Sequence, residues 1–407
     1  MCQTSRQLST DEQNLLRKVD PVEVVGLLQE IIRQRSDHPP GDCRSALQVI
    51  MRKLDQEAIQ YQVYSKREHQ PSLVACSGGS EKPVELIFHA HIDTVPAGDE
   101  ERWSMPPFEA RIRDNRIYGR GAGDDKSSVV AQIMALIILT RAKVNLRGNM
   151  EVVIVSDEES GGEYGTRWLH REGLLNTRAL VVGEQTNNEV AIAERVACGI
   201  DLTVYGKSAH GAMPWAGENA ILKMSRVLTW LQEHYFPILE QRKHPFLPPP
   251  TLNVGRIQGG IQWSIVAEQC KVEMDRRLIP GETREQAIDE LRSALENYSN
   301  TVEPLKFELF SQGDVAANIN TDAAHPFVLS ANQTLEDLTG EKRALTGYVQ
   351  TSDGRWFAND GIPIILFGPS DPAVAHSTDE YVTIDQLVEA TSYFTLLAYR
   401  ILGGNGS

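Results

Sequence analysis

Cysteine is scarce and scattered in this chain. There are five in 407 residues (Cys2, Cys43, Cys76, Cys198 and Cys270), and none forms a Cys-x-x-Cys pair. An odd, dispersed set argues against a disulfide framework and for a reduced, cytoplasmic setting. Cys198 and Cys270 lie in apolar runs and read as core thiols. Long hydrophobic runs are also missing. The longest, residues 129–139, is too short to cross a bilayer and reads as a buried helix. Residues 1–14 are polar, without the apolar core of a signal peptide. Positive charge is in deficit: 40 Lys and Arg against 55 Asp and Glu leave a net charge of −15. That balance argues against nucleic acid or an anionic membrane as partner. There is no internal repeat or low-complexity tract, and the Gly-Gly-Asn-Gly-Ser tail reads as frayed.

What the chain does contain is a set of short segments, spread over almost three quarters of its length, that carry metal-type ligands. They are His91 with Asp93, Asp124, the pair Glu158-Glu159, Glu184 and His376. Most follow an apolar run that reads as a buried strand. Imidazoles and carboxylates without thiolates suit Zn²⁺, Mn²⁺ or Co²⁺. A centre assembled from several strand ends is more often catalytic than structural.

A chain of this length is expected to form two domains. Helical spacing is read at residues 20–34, 46–59, 126–141, 219–235, 284–298, 325–338 and 384–402, and strands at 84–91, 150–156, 179–182 and 362–367. This alternation predicts an α/β catalytic domain with a mostly parallel, doubly covered sheet. From residue 189 the character changes. Residues 189–205 alternate like one antiparallel strand. Further strands at 252–257, 270–277 and 305–311 then complete a β-α-β-β-α-β order, as in a ferredoxin-like α+β domain. The expected division is 1–190 and 313–407 for the metal-binding domain, with 191–312 inserted.

Each segment has a bland alternative when taken alone. His89, His91 and Asp93 share one strand face, where one can ligate and a neighbour can orient it; they could equally be a polar strand end. Asp124 and Asp125 follow the Gly-rich stretch 119–123, where an Asp helix cap is the simple reading. A phosphate loop is disfavoured, because its Gly-Lys-Ser/Thr ending is absent. Asp157-Glu158-Glu159 ends a buried strand, where adjacent carboxylates need a cation or a proton to coexist. Recurrence of apolar strand then acid or His around one sheet favours a single site.

Together the segments resemble the metal-dependent aminoacylase/carboxypeptidase family, peptidase family M20. The matching stretches are His91-Ile92-Asp93-Thr94-Val95-Pro96, Tyr118-Gly119-Arg120-Gly121-Ala122-Gly123-Asp124-Asp125-Lys126 and Asp157-Glu158-Glu159. Gly183-Glu184, Gly206-Lys207-Ser208-Ala209-His210 and Ala375-His376 complete the set. The resemblance implies His91, Asp124, Glu159, Glu184 and His376 as ligands of one or two divalent metals, with Asp124 bridging if there are two. It implies Asp93 as orienter of His91 and Glu158 as general base. His210 would stabilise the oxyanion in a partner subunit, which implies a homodimer through the inserted domain. Arg277 is the implied binder of a substrate carboxylate, and Arg355 is a second candidate because a guanidinium suits bidentate recognition.

The pattern also breaks. Gln185 replaces a usual proline, Ser127 a usual glycine, Ser264 a substrate-contacting amide, and Gln350-Thr351 a glycine pair. Trp215, Trp263 and Trp356 flank site segments, and core packing is expected for at least two of them. The expected activity is hydrolysis of an amide-like C–N bond in a small carboxylate-bearing molecule, with N-acyl amino acid deacylation favoured. A dipeptidase or carboxypeptidase, a hydrolytic deaminase of an aromatic amine, and a non-catalytic metal-containing binding protein are the alternatives.

Overall fold

The computed structural model describes residues 7–78, 83–313 and 316–403. Cys2 and the tail after Gly403 lie outside them, as does the start of the polar stretch at 1–14. The chain divides into two compact units. One comprises residues 1–192, 320–347 and 352–407, and the other residues 193–319 and 348–351.

The first unit is built on an eight-stranded sheet. Its order is Tyr61–Tyr64, Ser72–Cys76, Asn149–Val155, Val84–His91, Leu180–Val182, Ile364–Leu366, Ala191–Glu194 and Thr346–Tyr348. Val84–His91 runs parallel to both Asn149–Val155 and Leu180–Val182, and Ile364–Leu366 runs parallel to Leu180–Val182. Tyr61–Tyr64 and Ser72–Cys76 join antiparallel, so the sheet is mixed at its edge. Two thirds of the residues in the parallel strands are Val, Ile, Leu or Phe, and side chains on both faces of these strands are buried. The helix Lys126–Arg141 is buried from Lys126 to Leu139 and packs on Ile384–Leu402. Phe88 meets Phe394 at 4.9 Å between ring centroids, and Phe367 stacks on Tyr393 at 3.8 Å. Among the described residues no helix is long and apolar enough to cross a membrane.

Register places the chemistry. His91 pairs with Val155 and His89 with Val182. The carboxyl ends of three adjacent parallel strands therefore lie side by side, and they are followed by Asp93, Asp157-Glu158-Glu159 and Glu184. Ligand sites of open α/β sheets form at such strand ends.

The second unit has a four-stranded antiparallel sheet, ordered Thr251–Gly259, Gln269–Leu278, Val196–Tyr205 and Lys306–Gln312. The helices Ala220–His234 and Arg284–Thr301 supply apolar stripes that pack against it, giving a ferredoxin-like arrangement. Cys198 and Cys270 are buried in this core. Residues 189–205, expected as one strand, form two: Ala191–Glu194 and Val196–Tyr205 belong to different sheets. Alternation continues across Arg195, so periodicity could not reveal the break. Trp215 and Trp263 are 80% and 94% exposed, so the expectation that at least two of Trp215, Trp263 and Trp356 pack in the core does not hold.

Candidate metal centre

His91 ends its strand at 2% exposure. Its Nδ1 lies 3.0 Å from the Asp93 carbonyl oxygen and its Nε2 lies 2.9 Å from Asp124 Oδ1. Burial alone would lower its pKa, but the hydrogen bonds to Asp124 and Asp93 outweigh that and raise it well above the usual imidazole range. Asp93 also accepts the backbone N–H groups of Glu158 (3.2 Å) and Glu159 (3.0 Å), so it pins the loop that carries both glutamates.

Asp124 closes the Gly-rich turn before the helix Lys126–Arg141, and the Asp124–Asp125 peptide bond is cis. Asp125 stands at the N-cap without a side-chain capping bond. The helix-cap alternative for this pair therefore fails, and the carboxylates serve elsewhere. Asp125 Oδ2 accepts the backbone N–H of His91 at 3.4 Å, and burial raises its pKa to about 8. The N–H groups of Gly123 and Asp124 donate to Glu380 Oε1 at 2.8 and 2.9 Å. Glu380 is in turn paired with Arg120.

His376 completes the cluster with its Nε2 3.1 Å from Asp124 Oδ2 and 3.2 Å from Glu159 Oε1. These hydrogen bonds raise its pKa to about 10. Burial raises the pKa of Glu158 well above the carboxylate range, reinforced by the nearby charge of Asp353. Burial does the same for Glu184, reinforced by Asp124 and Asp125, and burial together with Asp124 raises Glu159. Asp124 is shifted the other way: His376 and His91 overcome its burial. Crowded carboxylates that resist ionisation are the electrostatic signature of a site short of positive charge.

Two groups of ligand atoms, His91–Asp124–Glu184 and Asp124–Glu159–His376, each have all their atoms within 4.8 Å of one another. Both contain Asp124. The donor set of imidazole nitrogen and carboxylate oxygen fits a borderline divalent cation at each position. Gln185, in place of the usual proline, leaves Glu184 in its group. Gly368 permits this: a Cβ there would lie 2.5 Å from the Glu184 carbonyl oxygen.

The remaining candidates are placed as follows. Arg355 Nη1 lies 3.5 Å from Glu158 Oε1. Arg277, Ser264 and His210 belong to the second unit. There Arg277 contacts Asp275 at 2.9 Å and Thr351 Oγ1 at 3.2 Å. Ser264 accepts the N–H of Gly211 through its carbonyl at 2.7 Å, and His210 Nδ1 accepts the N–H of Ala212 at 3.0 Å. Sequence reasoning missed Glu380, Thr166 and Asp353. Glu380 and Asp353 sit beside singled-out residues, but acids in polar stretches carry no periodic signal.

A doubly covered, parallel-rich sheet with a His and carboxylate cluster at its strand ends defines a metallohydrolase architecture. The profile of peptidase family M20/M25/M40 matches residues 87–400. The chain belongs to that family and is a hydrolase. A succinyl-diaminopimelate desuccinylase of Thioalkalivibrio sulfidiphilus is 28% identical over 93% of this chain and 99% of its own. A probable succinyl-diaminopimelate desuccinylase of Staphylococcus aureus is 25% identical, over 91% and 96%. Among solved structures, a tripeptidase from Staphylococcus aureus superposes with a TM-score of 0.76 at 18% identity, covering 94% of this chain and 98% of that one. A dinuclear metal-binding peptidase of the M20 family from Bacillus subtilis superposes with a TM-score of 0.70 at 16% identity, covering 94% and 98%. The structural likenesses support the fold.

Proposed function

We propose that this protein hydrolyses the amide-like C–N bond of a small carboxylate-bearing substrate, with N-acyl amino acids as the favoured class. The observation that carries the reading is the sharing of Asp124 between two His and carboxylate groups, with Glu158 on the adjoining loop. His91, Asp124 and Glu184 would hold one divalent cation, and Asp124, Glu159 and His376 a second; Zn²⁺, Mn²⁺ and Co²⁺ fit the donors. When bound, such a cation supplies Lewis acidity and lowers the pKa of water at the site.

The protein's own residues do the rest. Asp93 orients His91 and fixes the backbone of Glu158 and Glu159. Glu158, whose carboxylate is made more basic by burial, would take a proton from water in its ionised form and return it to the leaving nitrogen. His210 is assigned to the oxyanion in a partner copy, Arg277 to the substrate's carboxylate, and Ser264, at the position of a usual substrate-contacting amide, to substrate binding. A homodimer is part of this reading. The strand Thr251–Gly259 is a sheet edge, and Val254 and Ile257 on it are 36% and 54% exposed, a surface suited to strand pairing. A cytoplasmic location accords with free Cys43, Cys76, Cys198 and Cys270.

Desuccinylases among the relatives favour deacylation. A dipeptidase is the second reading, favoured by likeness to human carnosine dipeptidase 1 (TM-score 0.74, 15% identity). The test is a panel of N-acyl amino acids, dipeptides and aromatic amines, run on Mn²⁺-, Co²⁺- and Zn²⁺-loaded protein with free amine and ammonia both monitored. Acyl release from N-acyl amino acids is the expected result. Turnover confined to dipeptides would move the assignment, and no turnover with metal bound would support a binding protein instead.

A further inference from the structure

The geometry points to Asp353 as a positioning residue that fixes Arg355, and through it Glu158, in the orientation the reaction needs. This rests on the reading of Glu158 as the base. The 3₁₀ turn Asp353–Phe357 presents Asp353 at 1% exposure. Its Oδ2 accepts the Thr166 hydroxyl at 2.5 Å and its Oδ1 accepts the Trp356 indole N–H at 3.1 Å. Arg355 spans the two carboxylates: Nη2 lies 3.4 Å from Asp353 Oδ1, and Nη1 lies 3.5 Å from Glu158 Oε1. Nη1 also donates to the Ser352 carbonyl at 3.0 Å. The guanidinium carbons of Arg355 and Arg167 lie 5.0 and 4.9 Å from the centroid of the Trp356 ring.

The chain of hydrogen bonds continues inward. His89 Nε2 is 2.8 Å from Thr166 Oγ1. The single Thr166 proton goes to the Asp353 carboxylate, so His89 must donate from Nε2–H. His89, on the strand that carries His91, thus anchors a fixed path: His89, Thr166, Asp353, Arg355, Glu158. The Glu158 loop approaches closely because residue 162 is glycine (φ +73°). A Cβ there would lie 2.8 Å from Asp353 Oδ1. Arg355 engaged in this way is not presented as a substrate-carboxylate binder.

Two measurements test this. In kinetics of the metal-loaded protein, with the member of the N-acyl amino acid and dipeptide panel turned over fastest, Asp353→Asn and Arg355→Lys should lower kcat by roughly 100-fold with KM nearly unchanged. Thr166→Val should lower kcat too, and Thr166→Ser should restore it. A raised KM at unchanged kcat for Arg355→Lys would make it a substrate binder and overturn the inference. The second measurement needs no turnover: a melting-temperature cycle on metal-free protein combining Asp353→Asn with Glu158→Gln. Linked residues give a double-variant shift different from the sum of the singles, and additive shifts overturn the linkage. Full turnover in Glu158→Gln alone would sink the base reading, while the melting cycle still decides whether the two carboxylates are coupled.

Discussion

Glu380→Ala is the most severe test of how the Gly-rich turn is held. Glu380 is fully buried, with three donors on its carboxylate: the N–H groups of Gly123 and Asp124 and the Arg120 guanidinium at 2.5 Å. Burial pushes its pKa up against the pull of those donors, so the intact ion pair adds little net stability. Removing one partner is a different matter. Arg120, 2% exposed, keeps its charge with only the Trp103 ring, 5.2 Å from its guanidinium carbon, against it and loses its carboxylate partner, which costs about 3–5 kcal/mol. The two orphaned N–H groups add to the penalty, at about 1–3 kcal/mol for a buried unsatisfied group. These costs overlap, so about 4–6 kcal/mol is the expected total. Urea unfolding, fitted separately for each transition of the two-unit chain, measures it. The apolar double replacement Arg120→Met with Glu380→Leu should cost less than Glu380→Ala alone. A loss under about 1 kcal/mol for the single variant, or a double variant that is worse than the single, would refute the reasoning. Metal affinity should fall with stability, since Glu380 fixes the backbone of Asp124.

Other consequences follow from the same physics. Glu23, held by Arg141 and Lys53, has its pKa lowered to about 2. Its folded pKa lies below its unfolded one, so its stabilisation is present above about pH 4.5 and is lost as pH falls towards 2. After solvent screening this is on the order of 1 kcal/mol; Glu23→Gln should remove that part of the acid slope, and an unchanged slope counts against the pairing. Because His376 is raised to about 10 without metal, it must release a proton to ligate. Calorimetric metal titration at pH 7 should therefore show heats that depend on the buffer's ionisation enthalpy, and buffer-independent heats would contradict this. Phe88→Ala, which empties a site packed edge-on against Phe394, should cost about 3–5 kcal/mol in chemical unfolding. A loss below about 1 kcal/mol would show that the core collapses around it.

The sequence was most legible where one face or both faces are buried. Val84–His91, Lys126–Arg141 and Ile384–Leu402 have the bounds that periodicity predicts, because buried parallel strands and their covering helices need unbroken apolar runs. The antiparallel pair Tyr61–Tyr64 and Ser72–Cys76 was not legible, being short and at the sheet edge. Neither was the three-stranded sheet of Arg111–Arg113, Arg116–Tyr118 and Tyr381–Thr383. At the site, residues following apolar strands were readable, since such a position has few structural uses for an acid. Glu380 and Asp353 were not readable, because their importance lies in long-range hydrogen bonds to Gly123, Asp124 and Thr166 that no local pattern encodes. The exposure of Trp215 and Trp263 likewise depends on where loops leave the second unit's sheet.

The central claim is that Glu158 moves the proton at a centre held by other residues. The most direct measurement is metal content, by elemental analysis, beside turnover of Glu158→Ala on the fastest panel substrate. The account predicts metal stoichiometry equal to the parent protein and a loss of kcat of at least about 100-fold. Turnover near that of the parent protein, with metal retained, would contradict it.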